Sequence, residues 1–199
     1  MNLFLIVDPV GCIPLFAAIT RKDSPRERRK MIRRAVLVAF FVLAFFAIVG
    51  RVVLSYFGVS IAAVRIAGGI LLFGIGLEML YGRVSRTEST EPEEREAAEK
   101  TDVSVTPLAI PLLAGPGSIA AVILFTGSFA GTSGIFGVLI SLAVVMFASW
   151  LILNFTENLI RLFGQIGIRV IARVMGLLLL FVATQFVLDG LGAAGILHR

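Results

Sequence analysis

The chain has 199 residues, 58% of them hydrophobic, and a mean hydropathy of +0.97; a water-soluble domain cannot hide that much apolar surface, so the sequence reads as an integral membrane protein. The formal net charge of +5 is not a nucleic-acid signature, because the basic residues stand beside apolar runs and not on a polar face. The single cysteine, Cys12, excludes an intramolecular disulfide, and the single histidine, His198, argues against a histidine-based metal site or triad.

A spanning helix needs about 20 mainly apolar residues. Runs of that kind predict six spans, at 1–20, 35–57, 61–82, 103–128, 134–155 and 168–190. The first lacks the basic leader and small-residue cleavage site of a signal peptide. It carries an oddity instead. "DPVGCIPLF" (8–16) puts an acid, two prolines and a glycine inside a membrane segment. Only seven residues precede Asp8, about 10 Å of helix, so the native start is expected upstream of Met1.

Next, "SPRE" (24–27) predicts a helix start: Ser24 as N-cap, Pro25 at the first helical position and Glu27 closing a capping box. The second helix is then about 50 Å long and begins in water. Gly58 and Gly164 each follow a phenylalanine and are expected just past helix ends. In the third span Ala62, Gly69 and Gly76 recur every seven residues and predict a close-packing face relevant to assembly. Glu78 is expected as a solvated acid at the end of that span. The polar stretch 83–102, with four basic and seven acidic residues, reads as a tether between two halves, 1–82 and 103–199.

Basic residues set the orientation. Arg21, Lys22, Arg26, Arg28, Arg29, Lys30, Arg33 and Arg34 follow span 1, and the basic residues after spans 3 and 5 fall on the same side by alternation. That side is expected to be cytoplasmic, with both termini outside. Arg51 and Arg65 lie near the opposite helix ends, where snorkelling or pairing with Asp189 would satisfy them.

The halves repeat. "RIAGGILLF" (65–73) matches "RVMGLLLLF" (173–181) at Arg, Gly, two Leu and Phe, offset by 108. Asp8-Pro9-Val10-Gly11 then falls against Gly115-Pro116-Gly117-Ser118. Three spans per half make the copies inverted, with helices 1 and 4 interrupted at matching places. Such paired interruptions point to a transporter's binding site. Proline removes a donor and glycine frees the backbone, and a half-helix starting near Ser118 has amides suited to a carboxylate. Pro14 opens the matching half-helix.

"DPVGCIPLF", "PLLAGPGSI" (111–119) and the six-span, two-repeat layout resemble the MarC family of membrane proteins over essentially the whole chain. The resemblance implies a plasma-membrane protein related to small neutral amino-acid transporters of the SnatA type, driven by an ion gradient. The family's first motif reads Asp-Pro-x-Gly-Asn-x-Pro; here Cys12 holds the Asn position and removes an amide from the expected site.

The substrate-binding candidates are therefore Asp8, Pro9, Gly11, Pro14, Gly115, Pro116, Gly117 and Ser118, with Cys12, Asn154, Thr184 and Gln185 as secondary candidates. Asp8 is the candidate coupling group for H⁺ or Na⁺; its alternative role is an Asx turn or N-cap that ties down the break. The polar span residues are alternatively simple interhelical bonds. No cofactor, resident metal or nucleic acid is expected, and the partners are the lipid bilayer, a small amphipathic substrate and other copies in an oligomer. Rival functions are a passive channel and a non-transporting membrane protein. Catalytic pairs and an ATP-binding loop are absent from the sequence, so neither an enzyme nor an ATP-driven pump is expected.

Overall fold

The computed structural model describes residues 2–20, 23–82, 113–127 and 132–196. Among these residues the regular structure is seven α-helices without a strand: α1 (Asn2–Val7), α2 (Cys12–Ile19), α3 (Pro25–Tyr56), α4 (Ile61–Tyr81), α5 (Pro116–Gly127), α6 (Thr132–Asn154) and α7 (Thr156–Ala193). Five stretches are long and apolar enough to cross a membrane: α1 with α2, then α3, α4, Gly134–Asn154 of α6, and α7. The chain is thus an all-helical, multi-pass membrane protein. Of the fourth expected span the structure describes the 12-residue α5 and the turn before it. Residues 103–112 and the tether 83–102 lie outside the described residues.

Local signals set the helix ends. Ser24 caps α3: its Oγ accepts from Glu27 N at 3.3 Å, while Ser24 N donates to Glu27 Oε2 at 3.0 Å. The Ser24 hydroxyl, and then its backbone N–H, hold the exposed Glu27 carboxyl below its ordinary value. The 32 residues of α3 span about 48 Å, well beyond the roughly 30 Å hydrocarbon core, so its basic first turns stand in water. Gly58 ends α3 at φ 67°, where a side chain would be strained. Gly164 takes φ 67°, ψ 170° and breaks α7 into two helical stretches. A mixed polar and apolar helical stretch from Thr156 thus precedes the run 168–190 expected as the sixth span.

Packing is tightest between α4 and α7, which run antiparallel. The expected stripe Ala62, Gly69, Gly76 faces a second seven-residue stripe, Gly190, Ala183, Gly176. A Cβ at Gly69 would stand 2.8 Å from the Ala183 carbonyl oxygen, and one at Gly76 3.0 Å from that of Gly176. The Gly190 position meets the Ala62 carbonyl at 3.1 Å. Small residues let the backbones meet, which maximises dispersion where apolar lipid gives no hydrophobic drive. The stripe thus seals α4 onto α7 of the same chain.

Helix α3 packs on α5 and α6, with Gly50 against Ile123. Leu43, Leu72, Leu142 and Leu179 are fully buried between helices. Phe41, Val52, Phe136, Ile140 and Phe147 are exposed and form the lipid-facing surface. At the basic end Arg28 of α3 pairs with Glu157 of α7 and also donates to the Thr20 carbonyl at 3.4 Å, tying α2, α3 and α7 together.

Candidate functional site

The interruption in the first span is built by Asp8. Helix α1 stops at Val7 and α2 begins at Cys12. Between them Asp8 holds φ 43°, a left-handed backbone in a residue with a side chain. Such a conformation costs about 1–3 kcal/mol and persists only where neighbours enforce it. Pro9 contributes by lacking the N–H that α1 would need to continue. The carboxylate folds back: Asp8 Oδ1 accepts from Gly11 N at 3.1 Å. Asp8 therefore does perform the local capping role, fixing the start of α2. Gly11 leaves room for this fold-back, because a Cβ there would overlap Asp8 Oδ2 and displace it. Met79 of α4 covers the same spot at 3.1 Å.

The second interruption meets the first. Pro116 opens α5, and Ile119 N donates to the Gly115 carbonyl at 3.0 Å. Two residues on from Pro116, the Ser118 Oγ faces the end of α1 and donates to the Ile6 carbonyl at 3.5 Å, long for such a bond. Asp8, Pro9, Cys12, Gly115, Gly117 and Ser118 are buried, and Gly11 is half-buried. Gly117 is not open space. A Cβ there would stand 2.5 Å from Leu72 Cδ2, so Leu72 of α4 closes over it. Asp8 and Gly11 thus lie buried or half-buried by Met79, Gly117 lies under Leu72 two turns away on α4, and Ser118 joins the two interruptions through the Ile6 carbonyl to make one centre, with Pro9 and Gly115 in the turns beside it. Pro116 and Pro14 are exposed.

A cavity lies to each side of this centre. One, of about 460 Å³, sits toward the basic end between α2 and α7, lined by Pro14, Ala17, Ala18, Ile160, Gln165, Ile168 and Arg169. The other, of about 360 Å³, sits toward the opposite end and is lined by Asn2, Arg65, Leu124, Phe125, Phe181, Val182, Gln185, Phe186 and Asp189. None of the four centre residues lines either one.

The secondary candidates separate clearly. Asn154 Nδ2 donates to the Trp150 carbonyl at 2.7 Å, and Thr184 Oγ1 to that of Leu180 at 2.8 Å. Both bond their own helix, not another one. Gln185 Nε2 donates to Asp189 Oδ1 at 2.7 Å and lines the smaller cavity. The expected pairing of Arg65 with Asp189 does not form: both line that cavity with no ion pair between them. Glu78, expected in solvent, is half-buried with its Oε2 shielded. Leu72 and Met79, the lids of the centre, carry no sequence signal beyond a helical apolar face.

Comparison with known proteins places the chain. Residues 1–194 match the MarC family integral membrane protein. The UPF0056 membrane protein YvbG of Bacillus subtilis is 35% identical over 192 residues, covering 96% of this chain and 91% of the relative. YhcE of Escherichia coli is 35% identical over 191 residues, covering 96% and 89%. A UPF0056 membrane protein of Archaeoglobus fulgidus is 37% identical over 190 residues, again covering 96% and 89%. No solved structure matches the chain.

Proposed function

This chain belongs to the MarC family of integral membrane proteins, and we propose that it is a secondary transporter of small neutral amino acids. It works by alternating access, driven by a proton or sodium gradient, in the plasma membrane. The basic end faces the cytoplasm, both termini lie outside, and the chain catalyses no reaction.

One observation carries the proposal: a closed polar centre at a helix interruption, with a cavity on either side. Ser118 reaches across to the Ile6 carbonyl, the strained Asp8 is buried, and Leu72 and Met79 cover the glycines. A passive channel needs a continuous wet path, which this centre interrupts. A carboxylate is costly at membrane depth, and an uncharged Asn or Ser would cap α2 as well, so the acid itself favours a coupling role over a purely structural one. The interruption itself is tolerable only where backbone faces protein or a wet cavity.

The inverted repeat fits the same proposal. Gly68 and Gly176, equivalent under the offset of 108, both sit at close contacts, with Ala120 and with Met79 and Gly76 respectively. In the transport cycle the centre opens toward one cavity and then the other. The Gly115–Ser118 turn and the start of α2 cradle the substrate. Asp8 exchanges its bond to Gly11 for a proton or a sodium ion.

The test is uptake by purified protein in liposomes. A panel of glycine, alanine and serine is offered under an imposed proton or sodium gradient, to wild type and Asp8→Asn. Wild type should concentrate at least one of them, and Asp8→Asn should lose the gradient dependence. Gradient-driven uptake of equal extent in Asp8→Asn would sink the coupling role. Flux that never saturates and ignores the gradient would replace the transporter with a channel.

A further inference from the structure

The smaller cavity holds a guanidinium and a carboxylate that do not meet. Arg65 projects from the first turns of α4 and Asp189 from the last turns of α7. Arg65 is half-buried and Asp189 is exposed, so water partly screens the attraction between them. Here Asp189 Oδ1 is held by Gln185 Nε2 at 2.7 Å, one helical turn back on the same face. Arg65 is held at its root by the glycine seam, because Gly190 abuts the Arg65 Cβ, with an added Cβ only 3.1 Å away. The two charges thus stand on different helices, facing one space of about 360 Å³. That volume lies within the usual range of small-ligand pockets. The aromatic pair Phe125 and Phe186, at 6.1 Å between centroids and 81° between planes, gives the space an apolar wall.

We propose that this cavity is a binding site for a small zwitterion. The Arg65 guanidinium takes the carboxylate with two parallel N–H bonds. Asp189, oriented by Gln185, takes the ammonium, and the Phe125–Phe186 wall meets a short apolar side chain. The ligand completes the ion pairs that the protein leaves unmade, so it must carry both charges and a free N–H. The site is separate from the helix interruptions. Its biological sense, as the vestibule that captures substrate before the centre opens, rests on the transporter proposal, but its binding chemistry does not.

The test is local to the cavity. Asn2 lines it and Cys12 is buried, so Asn2→Cys supplies the reactive thiol for maleimide labelling of detergent-purified protein. Alanine should slow labelling in a saturable way, with glycine acting similarly. Acetate and methylammonium, each carrying one charge, should not. Adding Arg65→Gln or Asp189→Asn should weaken protection by about tenfold or more, with Arg65→Lys intermediate and the thermal melts unchanged. Protection should persist in Asp8→Asn even where uptake is lost, which separates the failure of one proposal from that of the other. Undiminished protection in both Arg65→Gln and Asp189→Asn, or no protection of Asn2→Cys by alanine or glycine, overturns the site.

Discussion

The α4–α7 seam and the α1–α2–α5 centre are both built on glycine, yet they use it in opposite ways. Along the seam, glycine lets α4 and the stretch of α7 after Gly164 bring their backbones together, and the carbonyls of Ala62, Gly176 and Ala183 close the gaps. At the centre, glycine makes room for side chains that repair a broken backbone: Asp8 over Gly11, Leu72 over Gly117. Backbone-to-backbone contact cannot slide without losing everything at once, whereas side chains can change rotamer and release their partners. The seam is therefore a fixed scaffold and the centre a part that can rearrange.

Substitution should break that contrast most sharply along the seam. Gly76→Leu drives a side chain into the Gly176 carbonyl and is expected to cost about 3 kcal/mol or more, at the upper end of overpacking penalties. Loss of monodisperse protein, or a large drop in melting temperature, would be the readout. Gly74→Ala, on the same helix with nothing within 4 Å, should be neutral or slightly stabilising. Equal effects at the two positions would deny that the seam is tight.

A smaller cost is expected at the centre. Gly11→Ala displaces the Asp8 carboxylate and should destabilise by about 1–2 kcal/mol, while uptake falls far more than stability does. If uptake instead tracks the melting temperature, the centre is only structural.

At the water-exposed start of α3, Ser24→Ala removes the cap and should cost about 1 kcal/mol. The paired Glu27 has its acidity raised by the bonds from Ser24. Its contribution to stability is complete above the ordinary carboxylate value of 4.5 and fades as pH falls through the depressed value. A melt measured down that acid range should lose this increment in wild type and show none in Glu27→Gln. Smallest of all, Arg28→Gln should cost about 0.5 kcal/mol, because Glu157 is 61% exposed and water screens such pairs.

What could be read from the sequence follows from how local each feature is. The Ser24–Glu27 cap and the turn at Gly58 depend on a few neighbouring residues, and both stand as expected. The Ala62–Gly69–Gly76 face was legible as a packing surface from its spacing. Its partner was not, because Gly176, Ala183 and Gly190 lie more than a hundred residues away along the chain. The polar residues of the spans form their bonds locally for a physical reason. In a helix surrounded by apolar groups, the nearest acceptor for Asn154 or Thr184 is the carbonyl one turn back, so those side chains use their hydrogen bonds locally. Asp189 behaves likewise, bonding Gln185 four residues away before Arg65. At the centre, Asp8 and Gly11 were visible because a charge and helix breakers are costly in an apolar run and stand out against it, and Gly117 and Ser118 because the aligned second half carries a break at the matching place. Leu72 and Met79 were not, because a leucine over a glycine looks like any other core contact until the fold is known.

The decisive measurement joins the two interruptions covalently. With Cys12→Ser as background, Ile6→Cys and Ser118→Cys are introduced together and oxidised in proteoliposomes that take up substrate under a gradient. A cross-link should form within one chain, uptake should stop, and reduction should restore it. Full uptake by the cross-linked protein would mean that α1 and α5 do not meet at a moving centre.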